Sequence, residues 1–270
     1  MLRVESGAFK KYKEEAKPLI MDLLREHHFL SQRSIQILLE SRKLWHTVTW
    51  NAIRELKKEM KLRTAKYPPR GNFPVWVYEY NLRINDIKKQ IDAEYKPIYN
   101  EFVKASSEMG HYCEDIIEMA LTETGFVTLS RNQNTRYFRG KKYAGRTDLD
   151  FIAYKDGVFY GVEVKNLIAY PDWREDIFDK KSVAEFHGIQ FVMVSRVLGP
   201  YGYNLFTCGG LYSEFNSLIW SPKFSSLAKR IEEKLYFPII CTDKPSKDLL
   251  TKVKNLPFLH EKHFYGKGRI

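Results

Sequence analysis

Asp150, Glu163 and Lys165 are the residues of this chain whose types and spacing most directly suggest chemistry. They fall in residues 145–165, where two β-rich runs, 148–154 and 158–164, flank Asp156-Gly157, a pair that favours a two-residue hairpin turn. With that turn Lys155 faces Val158, Asp150 faces Glu163 and Asp148 faces Lys165. The period of two then puts Glu163 and Lys165 on one face. Carboxylates paired in this way stand roughly 5 Å apart and repel. A divalent cation reverses that penalty, because hard ions take carboxylate oxygens at about 2 to 2.5 Å. The adjacent lysine can hold a phosphate, or position or help deprotonate a water. A metal-generated nucleophile beside a cation is what hydrolysis of a phosphodiester needs. The competing reading is an edge hairpin that only displays charge. Against it, Phe151, Val162 and Val164 make an apolar stripe on the other face, and Ile152 with Gly161 leaves the charged face partly apolar.

Asp150, twelve intervening residues, then Glu163-Val-Lys165 resembles the PD-(D/E)XK nuclease superfamily. Gly161-Val-Glu-Val-Lys-Asn166 is similar to the form found in archaeal-type Holliday junction resolvases and restriction-like endonucleases. The proline of the family name is absent. The resemblance covers roughly residues 106–205. It implies a restriction-endonuclease-like α/β core, a mixed central sheet flanked by helices, and a Mg2+-dependent deoxyribonuclease in which Mn2+ substitutes. It also implies that a glutamate on the preceding helix completes the metal site. Glu114, in His111-Tyr-Cys-Glu, matches by order and spacing, with Glu118 one turn on as the alternative. The implied metal ligands are Glu114, Asp150 and Glu163, with Lys165 completing the catalytic set. Asp148 stands outside the ligands, where the register lets it tune Lys165.

The elements that must position these groups follow from periodicity. A helix beginning at Ser106 or Ser107 carries Met109, Tyr112, Cys113, Ile116, Ile117, Ala120 and Leu121 as its inward stripe, and Gly125 ends it. Residues 126–129 are expected to form a strand, 131–142 a flexible basic loop bounded by Arg146, and 180–186 a helix. The apolar run 190–195 reads as a buried central strand. Beyond it, strands are expected at 203–206 and 237–241, and a helix at 224–235. The chain then ends in a basic tail whose His260 and His263 have no metal-ligand spacing.

In the N-terminal part, helices are expected near 17–26 and 31–41, the second capped by Ser31. A third, over 48–60 and capped by Thr47, has Arg54, Lys57, Lys58 and Lys61 on its outer side. Runs 62–66 and 75–80 flank a turn-rich segment with Arg70 near its tip. Together residues 15–80 resemble a winged-helix DNA-binding domain, with Arg54, Lys57, Lys58, Lys61, Arg70 and Arg146 as nucleic-acid contacts. A helical packing domain with a solvated basic face is the alternative. The expected organisation is a mainly helical winged-helix-like domain over 1–80, a connecting helix over 81–105 that Pro97 bends or ends, and a nuclease-like domain over 106–270.

Composition is consistent with this division. Of 270 residues 44% are hydrophobic, which excludes a disordered tail protein, and the net charge of +11 favours a polyanionic partner. Residues 42–70 hold nine basic and two acidic side chains. The partner expected is DNA, double-stranded or branched, bound by a homodimer, although charge does not distinguish DNA from RNA. Three scattered cysteines, no run of eighteen apolar residues and no leader pattern give the expectation of a soluble, cytoplasmic protein without membrane contact. Three functions stay open: a restriction-like or mobile-element endonuclease, a dimeric Holliday junction resolvase, and a non-catalytic DNA-binding regulator.

Overall fold

The computed structural model describes residues 7–69 and 73–259, and the chain divides into two compact units. The first comprises residues 1–105 with 226–238, and the second 106–225 with 239–270.

The first unit begins with α1 (Gly7–His27), β1 (Phe29–Ser31), α2 (Gln32–Glu40) and α3 (His46–Lys58), followed by β2 (Leu62–Lys66) and β3 (Val75–Glu79). The three strands form an antiparallel sheet in the order β1-β3-β2. Ile20, Leu24, Ile35, Ile53, Leu56 and Val77 close its core. Ser31 caps α2 as expected, its hydroxyl accepting from Ser34 N–H at 3.0 Å. The third helix differs from expectation at both ends. It starts at His46 after Trp45, so Thr47 caps nothing, and it stops at Lys58. Met60 turns the chain with φ 56° and is exposed, leaving Lys61 past the helix end.

The connecting region also departs from the sequence reading. Instead of one helix ending before Ser106, α4 (Ile84–Gln90) passes through a π-helical turn (Ile91–Tyr95) into α5 (Lys96–Glu123), which runs unbroken through residues 106 and 107. Pro97 sits in the first turn of α5, directly after the widened turn, where its missing N–H and its ring cost least.

In the second unit the strands are β4 (Val127–Arg131), β5 (Tyr137–Phe138), β6 (Lys141–Lys142), β7 (Phe151–Lys155) and β8 (Val158–Lys165). There follow α6 (Asp179–His187), β9 (Gln190–Ser195), α7 (Pro200–Thr207), β10 (Leu211–Glu214) and β11 (Leu218–Trp220). The chain then returns to the first unit through most of α8 (Ser225–Leu235) and re-enters the second with β12 (Ile239–Cys241) and α9 (Lys247–Lys254). Five strands make a mixed sheet, β10-β9-β8-β7-β4, parallel across β10, β9 and β8 and antiparallel across β8, β7 and β4. This is an α/β architecture with a mixed central sheet flanked by helices, preceded by a mainly helical region. One face, with Phe151, Val162, Val164 and Val194, packs on Cys113, Ile117 and Leu121 of α5 and on Leu249 and Val253 of α9. The other, with Phe191 and Met193, packs on Val183 and Ala184 of α6 and Leu205 of α7. β9 is buried along its whole length, as its apolar run requires.

Two expectations fail here. Residues 203–206 lie in α7, which Pro200 starts from its first position, so no strand forms there. Residues 131–142 form a short 3-10 turn (Asn132–Arg136) and the β5–β6 hairpin in place of an open loop. Among the described residues, no helix is long and apolar enough to cross a membrane.

Candidate active site

The hairpin turn forms as its residues dictate. Asp156 and Gly157 both adopt positive φ, 50° and 84°, the requirement of a type I′ turn. Lys155 pairs with Val158, and the register continues to Ile152 with Gly161 and Phe151 with Val162. There the ladder ends. Asp150 N–H donates to Val162 O at 3.1 Å, and its carbonyl accepts from Asn132 N–H at 2.9 Å. Leu149 is held by the Thr135 hydroxyl, which accepts from its N–H at 2.8 Å. The segment before Asp150 is thereby drawn off β8 towards the 3-10 turn, so Asp148 never faces Lys165. Asp148 lies instead 3.5 Å from Lys180 Nζ.

Asp150 keeps its place beside β8 through its side chain. Its Oδ2 accepts from Val164 N–H at 2.6 Å, in place of the next rung of the ladder. Glu163 follows Val162, so its side chain points to the α6 face and is fully buried. Gly161, two residues earlier on that face, is what lets α6 come close. A Cβ there would stand 2.6 Å from Leu149 Cδ1 and 3.2 Å from Ala184 Cβ. The close approach delivers Lys180, on the first turn of α6, to 3.2 Å from Glu163 Oε1, and Lys165 Nζ reaches the same oxygen at 2.8 Å. Two ammonium groups thus meet one buried carboxylate oxygen as ion pairs, and among the described residues no backbone N–H donates to Glu163. Lys165 also meets Asp176 Oδ1 at 3.2 Å. Asp176 sits on a π-helical turn (Trp173–Phe178) that Asp172 caps by accepting from two N–H groups. Such turns recur at functional sites because they aim one side chain out of helical phase.

The electrostatics follow from this packing. Burial first, and then the charge of Glu163, push the Asp150 carboxyl up to about 8, against the pull of the Val164 N–H. Burial likewise raises Glu163, although Lys165 and Lys180 oppose it. Burial works to depress the Lys165 ammonium, but Glu163 and Asp176 outweigh it and the net shift is upward. Lys165 is therefore held protonated, a fixed positive charge instead of a proton acceptor.

The remaining expected residues are distributed as follows. Glu114 is on α5, its side chain 15% exposed and 3.5 Å from His111 Nδ1; it reaches Asp150 only as a nearby charge. Glu118 is engaged by Arg131 at 2.9 Å. Among the described residues no three His, Cys, Asp or Glu side chains converge as a ready-made metal set. Asp150 and Glu163 nonetheless offer a hard cation two neighbouring buried carboxyl groups, and the raised Asp150 carboxyl is the one that a cation would relieve of its proton. Asn166, the last residue of the motif, accepts from Ile219 N–H at 3.0 Å and donates to Ile219 O and Met109 O, which ties α5 to the end of β8. Arg54, Lys57, Lys58, Lys61 and Arg146 are exposed. Lys13 and Lys17 of α1 pair with Glu55 of α3, and Lys17 and Lys61 pair with Glu59 just past its end, so these acids are occupied while Arg54, Lys57 and Lys58 face outward. Arg70 lies outside the described residues.

In sequence, Asp176 only closes an unusual segment, 170–176, because a π turn has no periodic signature that would assign it a role. Lys180 reads there as a candidate substrate contact, together with Lys181 and Gln190, and not as a partner of Glu163. Comparison of the chain with protein-family models, with curated proteins and with solved structures gives no match.

Proposed function

We propose that this protein is a metal-dependent endonuclease that hydrolyses phosphodiester bonds of DNA. The observation that carries the reading is the fully buried Glu163, with Lys165 and Lys180 on its carboxylate, beside an Asp150 whose carboxyl is pushed up by burial and by that neighbour. The pair sits at the carboxyl end of parallel strands β8 and β9, where open α/β sheets place their sites. Asp150 and Glu163 would hold Mg2+ or Mn2+, with Glu114 as the third carboxylate nearest in charge. A bound ion of this kind lowers the pKa of a coordinated water and offsets charge on a phosphoryl oxygen. Lys165, kept protonated by Glu163 and Asp176, donates hydrogen bonds to the phosphate and stabilises charge as it builds at phosphorus. Lys180 supplies a second cation on the same side, and Asp148 holds Lys180.

The fold supports the same reading. A helix, a strand, an antiparallel hairpin, a helix and a parallel strand resemble the restriction-endonuclease core. The first unit's order of helix, strand, two helices and two strands, with its β1-β3-β2 sheet, resembles a winged helix that grips DNA through Arg54, Lys57 and Lys58.

The test incubates the protein with labelled four-way junction, linear duplex, single-stranded DNA and RNA in Mg2+, Mn2+ or EDTA. Cleavage is expected with either ion and not in EDTA, and Asp150→Ala and Lys165→Ala should abolish it. Undiminished cleavage in EDTA or in either variant would overturn the mechanism. One observation favours a second reading, a DNA-binding regulator without hydrolysis: Lys165 and Lys180 already neutralise Glu163, and among the described residues no third ligand converges on it. Binding without cleavage of any substrate would select it.

A further inference from the structure

We propose that the β5–β6 hairpin, with the cleft beneath it, is a binding platform for single-stranded nucleic acid. Between residues 131 and 147 the chain carries six Arg or Lys and no Asp or Glu. The hairpin turns on Arg139 and Gly140, φ 49° and 76°, which folds the Arg139 guanidinium back over the Phe159 ring at 4.1 Å. From there rings run in series: Tyr154 to Phe159 at 4.9 Å, Phe159 to Phe138 at 5.2 Å, Phe138 to His187 at 5.9 Å and His187 to Phe186 at 5.1 Å. Tyr143 continues the series beyond Phe186 at 5.5 Å, and Tyr154 and Phe186 are themselves exposed. Tyr137, the most exposed ring of the hairpin, is 56% open, with Lys142 over its face. Arg139 and Phe159 also line a cleft of about 600 Å3 that continues past Lys181 to Gln190 and Gly209. That volume is within the roughly 300–1,000 Å3 typical of small-molecule sites, room for an unstacked base.

Charge and ring placement together identify the ligand. Arg139, Lys141 and Lys142 suit a backbone of phosphates, but duplex phosphates alone give no reason to expose Tyr137, Tyr154 and Phe186 among them. Unpaired bases stack on such rings, whatever their sequence, while neighbouring cations follow the backbone. The nearest carboxylate in the cleft, Glu185, is engaged by Lys181 and so does not repel it. Phe159 and Glu163 lie four residues apart on one face of β8, about 13 Å at the rise of a strand. A strand bound here passes close to the proposed cleavage centre, but binding itself does not depend on that centre.

The experiment measures fluorescence anisotropy of the full chain in EDTA, so that a failure of the cleavage reading leaves it unaffected. The probes are labelled oligothymidylate, a duplex of equal length and an abasic strand. Oligothymidylate should bind more tightly than the abasic strand. Tyr137→Ala and Tyr154→Ala, both at exposed positions, should each weaken oligothymidylate binding roughly five- to hundred-fold while leaving the duplex unchanged. Lys141→Gln with Lys142→Gln should weaken it too and flatten its dependence on salt by about 0.7 per lost contact. An oligouridylate arm assigns the sugar, and binding of either strand supports the platform. Equal binding of the abasic strand, or aromatic variants that match the parent, would overturn it.

Discussion

The second unit contains two hairpins built on the same local device and put to opposite uses. Asp156-Gly157 and Arg139-Gly140 both turn with two positive φ values, and in each the glycine takes the second. The β7–β8 hairpin continues into five paired positions at the middle of a sheet with both faces covered, and there it buries acid. The β5–β6 hairpin has two paired positions, stands outside that sheet, and exposes base. A turn therefore fixes register and nothing more. Burial decides what a charge on the strand can do: a carboxylate without water must find a cation or keep a proton, whereas a solvated lysine only waits for a partner.

The largest effect should come from removing the buried charge. Glu163→Gln keeps the shape of the side chain and leaves Lys165 and Lys180 without their shared carboxylate. Single-turnover cleavage should fall about a thousand-fold or more, since several kcal/mol of charge stabilisation is lost with the ion. Retention of rate within about ten-fold would show that the buried hairpin does no chemistry. A smaller effect is expected in the absence of metal. The folded chain holds the Asp150 proton up to about pH 8, whereas the unfolded chain releases it near its ordinary 3.8. Between those values the native state binds the extra proton, so stability falls as pH rises through that window and is level below it. In EDTA at pH 9, Asp150→Asn should raise the melting temperature by several degrees, on the order of 1–2 kcal/mol after allowance for solvent screening. Near pH 4 the two proteins should melt alike, and Mg2+ should stabilise only the parent. A variant that melts lower than the parent at pH 9 would remove the premise that this carboxylate is strained.

What the sequence made legible is what is local or strictly periodic. Asp156-Gly157 dictated a turn, the turn dictated five pairs, and the apolar run at 190–195 could only be a buried strand. The reading failed where a tertiary contact overrode local extrapolation. Asp148 left the ladder because Asn132 and Thr135, far from it in any pattern, took hydrogen bonds of Asp150 and Leu149. Lys180 and Asp176 reached the site through a close helix approach and a π turn, neither of which has a periodicity to read. Gly161 did give a sign of that approach, since a glycine inside a strand marks a place where something packs close. Gly161→Ala should cost about 1–3 kcal/mol by overpacking against Leu149 and Ala184. It should also slow cleavage, because α6 carries Lys180 away from Glu163 as it yields. Thermal unfolding and cleavage rate measured on the same protein should move together, and an unchanged rate would separate Lys180 from the chemistry.

The smallest effect discriminates between the hairpins most directly, because one substitution can be made in both. Gly157 and Gly140 have φ of 84° and 76°, and neither has an atom within 4 Å of where a Cβ would sit, so Ala at either meets only backbone strain. That strain is about 1–2 kcal/mol for a side chain in the left-handed region. In Gly157→Ala it must be borne by a central pair of strands that cannot open without exposing Phe151 and Val162. The whole unit should lose the full amount and melt several degrees lower. In Gly140→Ala a hairpin of two pairs can open alone, so the cost is paid as local fraying and the melting temperature should hardly change. Oligothymidylate affinity should nevertheless fall, since Arg139 no longer lies over Phe159 to complete the platform. Equal losses of global stability from the two substitutions would mean that the β5–β6 hairpin is part of the cooperative core, and the contrast between buried acid and independently mobile base would fail.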